Sequence, residues 1–64
     1  MYYVLHRPHG TEKPWLELPG FRSSKEARSA VTTLAGQRTP EGERLCDVKL
    51  CVGTGRNRRD ILIL

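Results

Sequence analysis

The clearest hydrophobic pattern in the chain is an alternation of apolar and polar residues between Arg44 and Val52. Side chains of a β-strand point to opposite faces in turn, so this alternation predicts a strand with one buried face. The face expected to be buried carries Cys46, Val48, Leu50 and Val52. The other face, which is mixed and mostly solvated, carries Leu45, Asp47, Lys49 and Cys51. One buried and one solvated face is typical of an antiparallel sheet.

A helical pattern precedes this strand. Apolar residues recur three and four positions apart, as one stripe of a helix requires: Ala27, Ala30, Val31 and Leu34. The run Ser23-Ser24-Lys25-Glu26 fits a capping box, in which the Ser23 hydroxyl accepts a hydrogen bond from the Glu26 amide. Gly36 is expected to end the helix in a left-handed conformation, because glycine adopts a positive φ without a steric penalty.

Three further segments have strand character. Tyr2–Leu5 and Trp15–Leu18 are short and separated by the loop 8–14, so they are expected to form a hairpin. Ile61–Leu64 is apolar on both faces, which favours a central strand or one covered by another element. The long hydrophobic side chains expected to supply most of the core are Leu16, Leu18, Val48, Leu50, Ile61 and Ile63.

The predicted element order is therefore β-β-α-β-β. One helix on one face of a four-stranded antiparallel sheet, a two-layer α+β arrangement, is the simplest fold that buries these apolar faces. The chain has 64 residues, of which 38% are hydrophobic and 28% charged, a composition outside the disordered class. We expect a single compact domain, 1–64, with a small core.

The apolar runs and the cysteines bear on where in the cell the protein is located. No apolar run approaches the ~20 residues that a membrane-spanning helix needs. Met1–Leu5 is followed at once by His6 and Arg7, unlike a secretory signal. The start at Met1 and the strand-like last residues predict a complete small protein of the cytoplasm. Cys46 and Cys51 are five positions apart, hence on opposite faces of a strand, which predicts two reduced thiols.

The positive charge of the chain is concentrated in the segment 53–60. The formal net charge is +4, from 11 basic and 7 acidic residues. Without Arg56, Arg58 and Arg59, 8 basic residues remain against 7 acidic ones, and the net charge is +1. We expect these three arginines at the exposed tip of a hairpin, where they would contact an anionic partner. The alternative is a solvated turn that only aids solubility.

Four other basic residues are further candidates for partner binding. Lys25 and Arg28 share the exposed side of the predicted helix, and Arg22 comes just before it. Lys49 lies on the mixed face of the longest strand. The alternative interpretation of Arg22, Lys25 and Arg28 is that they belong to a helix face that is simply exposed to solvent.

The aromatic residues allow two interpretations. Tyr2 and Tyr3 must face opposite ways in a strand, so one of them is expected on the outer face of the sheet. With Trp15 beside it, such a ring could stack on the bases of a single-stranded nucleic acid. The alternative is that all three belong to the core or its edge.

Neither a metal site nor a catalytic site is expected. His6, His9, Cys46 and Cys51 have the side-chain types of a zinc site, but their spacing is poor. Gly53-Thr54-Gly55 lacks the Gly-Lys-Ser/Thr ending of a phosphate loop, and no helix follows it. No nucleophile, base and orienting acid can be placed together, so we expect neither a cofactor nor an enzyme activity.

The segment 20–28, with the sequence GFRSSKEAR, resembles the strand-to-helix junction of the small arm-binding domains of phage integrases. The resemblance covers nine residues and implies a sheet that enters a DNA groove. Those domains place three strands before the helix, whereas this sequence predicts two before it and two after it.

The chain as a whole resembles the accessory proteins of phages and mobile elements in type rather than in motif. Many of those small α+β proteins block a host machine, and anti-CRISPR proteins are among them. The resemblance implies a non-catalytic inhibitor that occupies the surface of a host nucleic-acid-handling complex in the host cytoplasm. Arg56, Arg58 and Arg59 would anchor it electrostatically. Additional contact would come from Leu45, Lys49, Leu62 and Leu64.

Two alternatives remain open from the residues. The first is a small nucleic-acid-binding protein that uses the basic hairpin and the sheet face. The second is an assembly subunit that forms a homodimer through the terminal strand 61–64, because an open strand edge can pair with a second copy.

Overall fold

Residues 1–18 and 20–64 of a computed structural model form an α+β fold with four antiparallel strands and one helix. The elements are β1 (Tyr2–Pro8), β2 (Leu16–Glu17), α1 (Ser24–Gly36), β3 (Cys46–Thr54) and β4 (Asn57–Ile63). The strand order across the sheet is β2-β1-β3-β4. The predicted sequence of elements, including the β1–β2 hairpin, is therefore confirmed.

The core lies between α1 and the two central strands. Val4 of β1 and the Val48 and Leu50 side chains of β3 are fully buried, and they pack in one cluster with Ala27 and Val31 of the helix. The helix contacts β1 and β3 within the described residues, so β4 lies beside it rather than beneath it.

The start of α1 agrees with the sequence pattern, whereas its end does not. Ser23 is the N-cap, and its hydroxyl accepts a hydrogen bond from the Glu26 amide at 3.2 Å. Gly36, however, does not have a positive φ. The helix ends instead because Gln37 is extended, and the amide of Gln37 donates to the carbonyl of Leu34 at 3.3 Å. The prediction of a left-handed Gly36 is wrong.

The lengths of β1, β2 and β3 differ from the predicted ones. β1 runs three residues beyond the predicted Leu5, because β3 pairs with it all the way to Pro8, opposite Cys46. β2 is shorter than predicted and keeps only Leu16 and Glu17. β3 begins and ends two residues later than expected and has nine residues.

The position of the arginines in the hairpin differs from the prediction. Gly55 and Arg56 alone connect β3 to β4, and Gly55 has φ +54 while Arg56 has no positive φ. Glycine at the first central position of a two-residue loop suits a type II′ turn. Arg58 and Arg59 are strand residues opposite Gly53 and Val52. Only Arg56 lies at the tip, so the expectation of three arginines there is wrong.

A bulge in β4 decides which of its apolar residues are buried. The register shifts between Leu50 and Cys51, whose partners are Leu62 and Asp60, so Ile61 has no partner of its own. Leu62 packs against the core, while Ile61 and Ile63 are 43% and 64% exposed. β4 is an edge strand, not the central or covered strand expected. Leu16, also expected in the core, is 58% exposed.

Two glycine substitutions test this backbone in opposite directions. Gly53 has φ +146, and a Cβ there would overlap the carbonyl oxygen of Asn57, so we expect Gly53→Ala to lower stability by about 2 kcal/mol or more. Gly36 is helical and has open space around it, so Gly36→Ala should raise stability by about 0.5–1 kcal/mol. Urea unfolding of both variants measures the two changes. A destabilised Gly36→Ala protein would contradict the described helix end.

Candidate functional site

The side of the sheet that faces away from the buried cluster has its own layer of side chains. The β1–β3 register places Tyr3 opposite Cys51, Leu5 opposite Lys49 and Arg7 opposite Asp47 on this side. We call it the outer face. Four of the residues predicted to bind a partner or to stack on bases lie here: Tyr3, Trp15, Lys49 and Arg58.

Arg58 spans the outer face from one edge of the sheet to the other. Its guanidinium carbon lies 3.6 Å from the centre of the Tyr3 ring on β1. The same side chain forms an ion pair with Glu17 on β2, and its Nε donates to the carbonyl of Gly55 at 3.0 Å. Stacking and ion pairing thus tie the outermost strands together across the centre of the sheet.

Trp15 covers the other half of the outer face. The Arg7 guanidinium lies 4.3 Å from the centre of its ring, and the Lys49 ammonium lies 4.8 Å from it. Both cations also have a carboxylate partner: Arg7 Nε is 3.6 Å from Asp47, and Lys49 Nζ is 4.0 Å from Asp60. The two cations on Trp15 are therefore already held by neighbours within the molecule.

The outer face is electrically balanced. Its three cations, Arg7, Lys49 and Arg58, are matched by three carboxylates, Asp47, Asp60 and Glu17. A phosphate placed on this face would have to displace a carboxylate from each cation that it engaged. The face therefore has the residue types of a binding surface but lacks excess charge.

Asp47 of the outer face has partners on two other segments of the chain. Its Oδ1 lies 2.6 Å from Nδ1 of His9, and its Oδ2 faces Arg7. The hydrogen bond with His9 lowers the pKa of Asp47 below its ordinary value, against an opposing effect of burial, and the charges of His9 and Arg7 add to the lowering. Asp47 therefore fastens the loop that follows β1 to β3.

The two cysteines are structural thiols on opposite sides of the sheet. Cys46 Sγ donates to the carbonyl of Leu34 at 3.3 Å, on the helix side. Cys51 was expected on the solvated face but is only 4% exposed, because the outer-face side chains cover it. Burial raises its pKa to about 11, and Sγ donates to Asp60 at 3.0 Å. Cys51 is thus a protonated, poor nucleophile at neutral pH.

The four residues considered for zinc are not assembled into one site. Cys46 Sγ is on the helix side, where it donates to Leu34, whereas His9 is bound to Asp47 of the outer face. Among residues 1–18 and 20–64, the structure brings together no group of three or more histidine, cysteine or carboxylate side chains that could hold a metal ion. Within the same residues, no helix has the length and apolar character that crossing a membrane requires.

The other cations that were predicted to bind a partner lie toward one end of the domain. Phe21, Tyr2, Val52 and Arg59 are successive partners in one row across the sheet. Arg22 follows Phe21 and leads into α1, while Arg56 lies at the tip beyond Arg59. We call this region the basic end; its cations are Arg22, Lys25, Arg28, Arg56 and Arg59. All five are exposed, and none has an ion pair within the described residues.

The opposite end of the domain is balanced. It holds the loop after β1 and the loop between α1 and β3, because Pro8 pairs with Cys46 and Cys46 contacts the last turn of α1. The charged residues of these loops are Lys13, Arg38, Arg44, Glu12, Glu41 and Glu43. The basic end, by contrast, has five cations and only one carboxylate, that of Glu26. The whole net charge of +4 is therefore located at the basic end.

Sequence reasoning missed the division of the cations into two groups. Arg58 and Lys49 are neutralised on the outer face, whereas the helical cations and two hairpin arginines are not. The charged residues that form these pairs are visible in the sequence, but their pairing is not. The pairs depend on the register that places Arg7 opposite Asp47 and on the bulge that brings Asp60 next to Cys51.

No protein-family model, curated protein or solved structure matches this chain. A function is therefore inferred from the geometry and charge of the described residues.

Replacing Arg58 should affect stability, whereas replacing Arg56 should not. Arg58→Ala removes the stacking on Tyr3 and the ion pair with Glu17, so we expect a loss of about 1 kcal/mol. Arg56→Ala is the matched control, since it removes the same charge from the exposed tip. Equal stability of the two variants in urea unfolding would rule out a structural role for Arg58.

Asp47 should contribute to the pH dependence of stability on the acid side. Its pKa is lower in the folded state, so its stabilising effect is present above the ordinary value of about 4 and is lost as the pH falls through the folded pKa. In Asp47→Asn, the decline in stability between about pH 4 and the folded pKa should be shallower than in the original protein. Thermal melting across this range measures the slope; parallel curves for both proteins would contradict the assignment.

Proposed function

We propose that this chain is a non-catalytic binding protein that attaches by its basic end to a nucleic-acid-handling complex and inhibits it by occupying its surface. The observation that supports this proposal is the location of the whole charge excess on one exposed end. The proposed setting is the cytoplasm. We also propose the two-layer arrangement, with α1 over one face of the sheet, since it would bring the start of the helix and the hairpin to the same end of the domain.

The chemistry of the basic end suits contact with anionic groups. Four of its five cations are arginines, whose planar guanidinium groups donate two parallel hydrogen bonds to a phosphate or carboxylate. Charge concentrated at one end also steers the approach of an anionic surface and orients the protein before contact. The balanced outer face contributes neither effect, so it serves the fold and leaves the basic end as the attachment site.

Contact rather than catalysis is supported by the state of the titratable groups. Cys51 has a raised pKa and is covered, so it is not an activated nucleophile. Asp47 has a lowered pKa and is held by His9, which suits a structural carboxylate rather than a general acid at neutral pH. An inhibitor of the anti-CRISPR type needs only a contact surface, so it fits this proposal.

Affinity capture with the tagged protein, from a lysate of the host cells, tests the proposal. We expect the original protein to retain nucleic-acid-handling proteins and the double variant Arg56→Ala/Arg59→Ala to lose them, because two of the five cations of the basic end are removed. The variant Lys13→Ala/Arg44→Ala is the matched control, since it removes the same charge from the balanced end.

Two results would contradict the proposal. One is capture of the same proteins by the Arg56→Ala/Arg59→Ala variant as by the original protein. The other is a captured set without nucleic-acid-handling proteins. Circular dichroism of each variant establishes that it is folded before capture is compared.

A further inference from the structure

We infer that the ligand of the basic end is the phosphodiester backbone of a nucleic acid, which contacts the start of α1 and the β3–β4 hairpin at the same time. This inference rests on the proposed function and narrows it, because it assigns the anionic groups of the target complex to its nucleic acid rather than to an acidic protein surface.

The size of the basic end requires an extended anion. Arg22, Lys25 and Arg28 form one group at the helix, and Arg56 and Arg59 form a second group at the hairpin. Phe21, next to Arg22, is separated from Arg59 by three steps of one row across the sheet. At about 4.8 Å a step, the two groups are roughly 14 Å apart along the sheet. A single phosphate or carboxylate has too few oxygens to pair with all five cations, whereas a polyanion offers a separate anionic group to each.

The helical group also presents hydrogen-bond donors. A shallow concavity on the exposed side of α1 is lined by Ser24, Lys25, Arg28, Ser29, Thr32 and Thr33. Hydroxyl groups and cations are the side chains that commonly contact phosphate oxygens and position a protein on a nucleic acid. No carboxylate lines this concavity within the described residues. The Thr32 hydroxyl already donates to the carbonyl of Arg28, so an approaching backbone meets the two cations and the other hydroxyl groups, with no carboxylate among the lining residues.

The scarcity of exposed apolar side chains at the basic end favours a nucleic acid over a protein. Stable protein interfaces contain an apolar or aromatic centre. The exposed large hydrophobic residues of the described chain lie elsewhere, on β2, in the loop before β3 and in the last part of the chain, apart from Met1. Contact with a phosphate backbone needs no such centre, since its affinity comes from the release of counterions.

Fluorescence anisotropy with labelled nucleic acid tests the inference directly. The probes are a duplex of about 20 base pairs and a single strand of about 20 nucleotides, each titrated from roughly 50 to 300 mM salt. If all five cations contact phosphates, the logarithm of the affinity should fall with the logarithm of the salt concentration with a slope of about −4.5 for the duplex and about −3.5 for the single strand. The probe with the higher affinity identifies which form supplies the backbone.

Variants connect the slope to the basic end. Arg56→Ala/Arg59→Ala should reduce the magnitude of the duplex slope by about 2, because two phosphate contacts are lost. Arg22→Ala/Lys25→Ala should reduce it by a similar amount if the helix and the hairpin bind one backbone. Lys13→Ala/Arg44→Ala loses the same charge at the balanced end and should keep the original slope. Thermal melting establishes that all three variants remain folded.

The outcomes separate this inference from the proposed function. No binding of either probe at about 50 mM salt, or equal slopes for the original protein and both basic-end variants, overturns the inference. The capture experiment is then repeated with nuclease-treated lysate. Capture that survives nuclease but still needs Arg56 and Arg59 means that the target is an acidic protein surface, so the proposed function stands and the inference fails. Capture that needs neither arginine contradicts both.

Discussion

The antiparallel pairing of β1 with β3 organises the whole domain. It runs from Tyr2 opposite Val52 to Pro8 opposite Cys46 and joins residues that are 38 to 50 positions apart in the sequence. This register determines which side chains face α1 and which face outward. A slip by one residue would move Val48 and Leu50 from the core to the outer face, so burial of these two residues fixes the pairing.

The same pairing explains the distribution of charge. It places Arg7 opposite Asp47 and brings Lys49 within reach of Trp15, so the outer face neutralises its own cations. A small domain with one helix has too little chain to cover the second face of its sheet with another apolar layer. Here the cover consists of stacked rings and ion pairs. The excess of positive charge that remains lies at the basic end.

Local signals in the sequence predicted the helix and the strand β3 well. The capping residue Ser23 and the apolar stripe through Ala27 and Val31 act within a few residues of each other, and the structure confirms both. The alternation in β3 gave the correct buried face because that strand is central and has partners on both sides. In such segments, the local pattern and the tertiary environment favour the same structure.

The predictions that were wrong depended on contacts between distant segments. Ile61 and Ile63 looked like core residues, but a bulge opposite Cys51 turns Leu62 inward instead. Arg58 looked like part of an exposed tip, but its partners Tyr3 and Glu17 belong to other strands. Gly36 has the residue type of a left-handed helix end, yet the extended Gln37 ends the helix without it. No short-range pattern contains this information.

The cations of this domain are divided between a balanced outer face and a charged basic end. Amide and indole chemical shifts, recorded by nuclear magnetic resonance while a nucleic-acid duplex is added, distinguish the two surfaces. We predict shift changes in segments 22–29 and 54–59, with little change at the Trp15 indole and at Tyr3. Changes centred on Trp15 and Tyr3, with segments 22–29 and 54–59 unaffected, would contradict it.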